Sequence, residues 1–184
     1  STLHRIKALK DFGNVKTGEL GGYIESGSNL SQEGNCWVYG NARVCGNAEV
    51  CGNAEVFGNA EVCDNAEVYG NARVYGDAEV CDNAEVYGNA KVYGNAWVYG
   101  NAEVCGNARV YGDADYITIK GLGSKYRNTT IFRTKENIAV KCGCFYGTLA
   151  EFVDKVKETH GNSKFTKEYL ALIDLVKIHF ELEE

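Results

Sequence analysis

The chain has 184 residues, of which 45% are hydrophobic and 24% charged, with a formal net charge of -6. That length allows one domain, or one elongated domain with capping segments. No apolar run approaches a membrane span and no leader-like segment opens the chain, so a cytoplasmic protein with no membrane partner is expected, Ser1 reading as a processed start.

The charge is unevenly spread. Residues 36–115 carry 12 acidic and 4 basic side chains, residues 1–35 carry 4 of each, and residues 116–184 carry 9 acidic and 11 basic. Six of the eight cysteines, Cys36, Cys45, Cys51, Cys63, Cys81 and Cys105, fall in repeat positions, five of them in a slot otherwise held by Tyr or Phe. Cysteine there reads as a small apolar residue in a reducing compartment. No Cys-x-x-Cys pair occurs and Cys142-Gly-Cys144 alone is weak evidence for zinc, so neither a metal nor a cofactor is expected.

Residues 1–35 are expected to form an N-terminal cap, in which Ile24 and Leu30, followed by Val38, mark irregular first strands. From Val38 to Val110 valine then recurs every six residues, thirteen times, and an alanine follows four places after each, as far as Ala114. The stretch GNAKVYGNAWVYGNAEV, residues 88–104, displays the unit: Val, then Tyr or Cys, then Gly-Asn-Ala, then one variable residue. Such a unit supplies a short strand with valine inward and its two neighbours outward, and a Gly-Asn corner in which both residues tolerate positive φ. A repeat of this kind sets the architecture before any other signal.

The pattern of residues 36–115, an aliphatic residue followed four places later by a small one, resembles the hexapeptide-repeat family. The resemblance implies a left-handed parallel β-helix of triangular section with three hexapeptides per coil, hence a mainly β fold with a small C-terminal α+β cap. The preceding segment DFGNVKTGELGGYIESGSNLSQEGNCWVYG is similar to the N-terminal part of bacterial and prophage hexapeptide proteins described as polymer-forming or acyltransferase-like. With an 18-residue coil, positions 18 apart stack at about 4.8 Å, and an interior of valine and alanine leaves no pocket. Function must then lie on the faces or at the ends.

Each outward column paints one face. The first carries Tyr39, Phe57, Tyr75, Tyr93 and Tyr111 beside Trp37, Glu55, Arg73, Lys91 and Arg109, an aromatic ladder flanked by cations. The rings and cations first read as a structural ladder or an interface between copies; in the alternative, Arg73, Tyr75, Lys91, Tyr93, Arg109 and Tyr111 are candidates for a flat anionic ligand lying across the rings. The second face carries Cys45, Cys63, Cys81 and Tyr99 beside Arg43, Glu61, Glu79, Trp97 and Asp115. The third stacks Glu49, Glu67, Glu85 and Glu103, either a solvated surface or one that engages a basic partner or mimics a nucleic-acid backbone.

Beyond the repeat, Tyr116–Lys120 reads as a strand, Thr129–Thr134 and Ile138–Cys142 as a hairpin, and two amphipathic helices are expected near 147–159 and 166–182. The run GCFYGTLAEFVDKVKETHGNSKFTKEYLALIDLVKIHF is similar to a C-terminal module common in phage proteins, which would seal one open end of the β-helix. Within KGLGSKYRNTTIFRTK, residues 120–135, Gly121 and Gly123 free the backbone, Ser124, Thr129 and Thr130 offer hydroxyls, and Lys120, Lys125, Arg127 and Arg133 offer charge. Such a loop suits a phosphate held by backbone N–H groups, although the Gly-Lys-Ser/Thr ending of a P-loop is missing. The same cations suit docking of the cap on an acidic β-helix.

The hexapeptide resemblance would place a catalytic histidine on or beside the helix, but His4, His160 and His179 all lie outside the repeat and no long loop interrupts residues 36–115. A non-catalytic binding protein of phage or prophage type follows, acting in the bacterial host's cytoplasm and counteracting host defence by sequestering a nucleotide-like anion. The alternatives are an inhibitor of a host protein working through the acidic face, and a degenerate acyltransferase. A homo-oligomer is expected, a trimer by family habit or a dimer along the aromatic strip.

Overall fold

The computed structural model describes residues 2–182, so Ser1 and the last two residues of the expected 116–184 cap lie outside the described residues. The chain divides into two compact units, the first ending at Asp113 and the second starting at Ala114.

The first unit is a parallel β-solenoid with three strands per coil. Thirteen two-residue strands run from Trp37–Val38 to Arg109–Val110, and each pairs in register with the strand 18 residues away, as Glu67 with Glu85 and Val74 with Val92. All thirteen valines are fully buried, and the alanines from Ala42 to Ala108 are at most 1% exposed. The physical logic is that of a repeat protein, in which each coil buries its valines only against its neighbours. At the corners the glycines hold φ between +61° and +77°, a region that L side chains reach only at a cost.

The corner asparagines play a different part from the one expected. None adopts positive φ among the described residues; they form ladders in which each amide donates to the next, as Asn53 Nδ2 to Asn71 Oδ1 at 3.1 Å and Asn47 Nδ2 to Asn65 Oδ1 at 3.1 Å. Asparagine is repeated because its side chain both donates and accepts, so an identical residue one coil away completes it.

The first coil is irregular in a definable way. Ile24 pairs with Val44 and Leu30 bridges to Val50, spacings of 20 rather than 18, and the two extra residues lie between Leu30 and Val38. His4–Lys7 adds an antiparallel strand to Leu20–Ile24. Asn29 is fully buried and its amide donates to the carbonyls of Gly46 and Ala48 at 3.0 and 2.8 Å. At the other end the solenoid stops one unit before the sequence pattern does: Asp113–Asp115 form a single 3-10 turn, so Ala114 is exposed and Asp115 joins no column.

The second unit is an antiparallel four-stranded meander, Tyr116–Leu122, Arg127–Arg133, Ile138–Cys142 and Phe145–Thr148, followed by helices α1 (Leu149–His160) and α2 (Lys164–His179). Ile131, Val140, Phe152, Val156, Tyr169, Ile173 and Val176 form its core. The fourth strand was hidden in the sequence because Thr148 ends it and at once caps α1: its hydroxyl accepts from the Glu151 amide at 3.3 Å while Glu151 Oε2 accepts from the Thr148 amide at 2.8 Å. No helix among the described residues is long and apolar enough to cross a membrane.

Candidate ligand-binding site

The candidate residues of the 120–135 segment are dispersed by the meander. Lys120 and Gly121 lie in the first strand, Gly121 at φ +97° where the register to the next strand shifts, and Gly123 to Tyr126 make the turn. One amide of the anion cradle expected there is already engaged, the Gly123 N–H donating to Glu168 Oε2 at 3.1 Å. Gly123 is required for a different reason: a Cβ at that position would strike the Tyr169 ring. Thr129 is fully buried and donates to Cys142 Sγ at 3.2 Å, which removes it from any ligand set. Arg133 stands at the far end of its strand, six steps or about 20 Å from Arg127, and binds Asp115 at 3.0 Å while covering the Phe180 ring.

Three of the expected residues do meet. Ser124, Lys125 and Arg127 line one side of a cavity of about 340 Å³ in the second unit. Its floor is apolar, made by Phe145 with the buried Phe152 and Val156, and Lys155 and His160 of α1 also line it. The Tyr169 hydroxyl reaches the same space, and burial, with Cys142 beside it, pushes its phenol up, so it stays a neutral donor or acceptor. Lys155 is paired with Glu158 at 2.8 Å, whereas Lys125 and Arg127 have no carboxylate partner among the described residues. An apolar floor with two uncompensated cations at its mouth suits a small ligand with a flat or apolar body and an anionic end.

Sequence reasoning named the cations from their charge, but it missed Phe145, Phe152, Lys155 and His160. The last three sit on α1, where Lys155, three residues from Phe152, and His160, eight residues from it, flank Phe152 on either side of the same helix face. The helix was legible; its partner strand Phe145–Thr148 was not.

On the solenoid the columns form as expected. Phe57 and Tyr75 stack with ring centroids 4.7 Å apart, Tyr75 and Tyr93 at 5.0 Å, and Tyr111 turns edge-on to Tyr93. In the basic column Arg73 pairs with Glu55 at 2.9 Å and lies in register with Lys91, which pairs in turn with Arg109. Trp37 is not a surface member of this column: it is 5% exposed and meets Phe12 edge-on. Glu49, Glu67, Glu85 and Glu103 do stack in one sheet, and two of them are engaged from the next column, Tyr69 donating to Glu85 at 2.8 Å and Tyr87 to Glu103 at 3.4 Å. Burial and the bond to Glu85 push the Tyr69 phenol up, which keeps it the donor.

Comparison with known proteins agrees with the repeat. The family model described as YdcK β-solenoid repeat matches residues 66–82 and 84–100. A protein of Escherichia coli (strain K12) named "Uncharacterized acetyltransferase YdcK" is 49% identical to this chain over 37 residues, a span covering 20% of this chain and 11% of that protein. With the coil register, these likenesses identify a hexapeptide-repeat β-solenoid protein.

Proposed function

We propose that the protein binds and sequesters a small nucleotide-like anion in the cavity of its C-terminal unit, without transforming it. What carries this reading is the pairing of Lys125 and Arg127, neither matched by a carboxylate, with an apolar floor of Phe145, Phe152 and Val156. A base or other flat group packs on the floor, and a phosphate at the mouth takes the two cations and the Ser124 hydroxyl. The likeness of the C-terminal run to phage modules supports placing this activity in a phage or prophage protein that counters a host signal.

The test is a thermal-shift screen of the reduced protein against cyclic dinucleotides, ADP-ribose and coenzyme A, followed by calorimetry. A ligand at 100 times its Kd adds about 2.7 kcal/mol of stability, a shift of several degrees. Lys125→Ala/Arg127→Ala is expected to weaken binding at least tenfold, while Arg73→Ala/Arg109→Ala leaves it unchanged. Binding that survives the first pair, or is lost only with the second, overturns the assignment.

A second reading draws on the relative's name. Acyl transfer from an acyl-coenzyme A thioester to an amine or hydroxyl acceptor would use the same apolar floor for the pantetheine arm, and incubation with acetyl-CoA and a panel of amine acceptors separates the two: release of free coenzyme A that requires an acceptor means a transferase, stoichiometric retention means a binding protein. A third reading, capture of a basic host protein, draws on the glutamate column. Charge reversal of Glu49 and Glu67, the two most exposed, reports on it without touching the cavity.

A further inference from the structure

The solenoid departs from its own corner rule twice. Ten corners between Gly40 and Gly106 are glycine with positive φ, but Asp64 and Asp82 hold the same backbone at +59° and +60°. Both follow a cysteine, in the repeated phrase VCDNAEV, and the two copies are 18 residues apart, so they stack at one corner. A non-glycine residue there costs about 1 kcal/mol or more, and the substitution sets two carboxylates beside two thiols.

The geometry points to a binding site for a thiophilic divalent cation of the zinc class, held by Cys63 Sγ, Asp64 carboxylate and Cys81 Sγ. These donor atoms all lie within 4.8 Å of one another. Two sulfurs sharing a zinc at about 2.3 Å each stand about 3.8 Å apart in tetrahedral geometry, so modest side-chain rotations close the set. Two thiolates with one carboxylate suit zinc and exclude magnesium and calcium, which take oxygen alone.

The surroundings fit. The Trp97 indole N–H donates to Cys81 Sγ at 2.9 Å, the kind of contact that orients a ligating sulfur and eases its negative charge. The Asp64 carboxylate is loosely held, with the Asp82 amide at 3.4 Å, whereas Asp82 is committed to the Gly100 amide at 3.0 Å and stands outside the ligand set. Asp64 is exposed, which leaves the fourth position to water. Binding of the cation by the two sulfurs releases their thiol protons to solvent. The site escapes a reading of spacing along the chain because its ligands, 18 residues apart, are brought together only by the coil.

The experiment is a Co²⁺ titration of the full chain under a non-thiol reductant, read as sulfur-to-cobalt charge-transfer absorption, with Zn²⁺ displacement and melting temperature followed in parallel. One Co²⁺ per chain with a sulfur band, displaced by Zn²⁺, is expected. Asp64→Gly restores the residue the repeat uses at its other corners, so it keeps the fold and melts higher without metal, yet it binds at least tenfold more weakly. Cys63→Ser loses the band; Cys144→Ser, at an exposed thiol of the other unit, and Asp82→Gly keep it. Absence of a sulfur band in the wild type, or a band untouched by Asp64→Gly and Cys63→Ser, overturns the site.

Discussion

The two units solve the problem of burying a core in opposite ways. From Ala42 to Val110 the solenoid repeats one small interior, valine over valine and alanine over alanine, with every one of these side chains at most 1% exposed. The C-terminal unit uses large and unlike side chains, Phe152, Tyr169, Ile131 and Ile173, and their imperfect fit against a short meander leaves the 340 Å³ cavity. Periodicity yields a closed core with addressable surfaces, and irregularity yields a pocket.

The largest expected effect tests whether that division is also thermodynamic. Val80→Asp places an unpaired charge in a fully buried column and is expected to cost about 4 kcal/mol or more. Hydrogen exchange should then show the solenoid amides losing protection while α1 and α2 keep theirs; a joint loss would mean the two units unfold as one.

A smaller effect separates corner strain from crowding between coils. Gly76→Ala meets the positive-φ cost of about 1–2 kcal/mol, and its Cβ would also stand 3.0 Å from the Gly94 backbone nitrogen and oxygen. Gly100→Ala has the same φ penalty with nothing within 4 Å. Urea titration is expected to rank Gly76→Ala as the more damaging, and equal losses would assign the whole cost to the dihedral.

The smallest effect belongs to the irregular unit. Thr148→Ala removes half of a capping box and is expected to cost about 1 kcal/mol. The Thr148 amide and hydroxyl hold the Glu151 carboxyl below the usual carboxylate range. A depressed folded value means that its contribution is present above the unfolded pKa and is lost as pH falls through the folded one. Acid titration of stability should therefore flatten slightly in Glu151→Gln, and an unchanged profile would show the box contributing nothing through charge.

Legibility in the sequence followed the same division. Register, faces, aromatic ladder and glutamate column were readable because one six-residue rule, applied thirteen times, leaves no freedom. The rule itself hid two things. It suggested that the pattern ran on to Asp115, where the backbone instead turns at Asp113, and it made asparagine look like a corner former when its amide serves the ladder. In the C-terminal unit three of the four strands and both helices were readable from their periods, but the cavity was not, because it depends on which residues of α1 face a four-residue strand that carries no period of its own. Lys125 and Arg127 were visible as charge; that Thr129 points into the core and Arg133 to another carboxylate required the pairing of strands.

The asparagine ladders carry a consequence for how such a chain changes length. Because most of these amides are completed by an asparagine one coil on, removal of 18 residues, such as 66–83, returns every remaining residue to its own corner and its own face. Removal of six residues also keeps valine inside and asparagine at the corners, but it rotates the downstream surface by one face and sets the cations of the aromatic side in line with carboxylates. Growth or shrinkage of this scaffold is therefore quantised in coils by its outer surface, while its interior would accept single units.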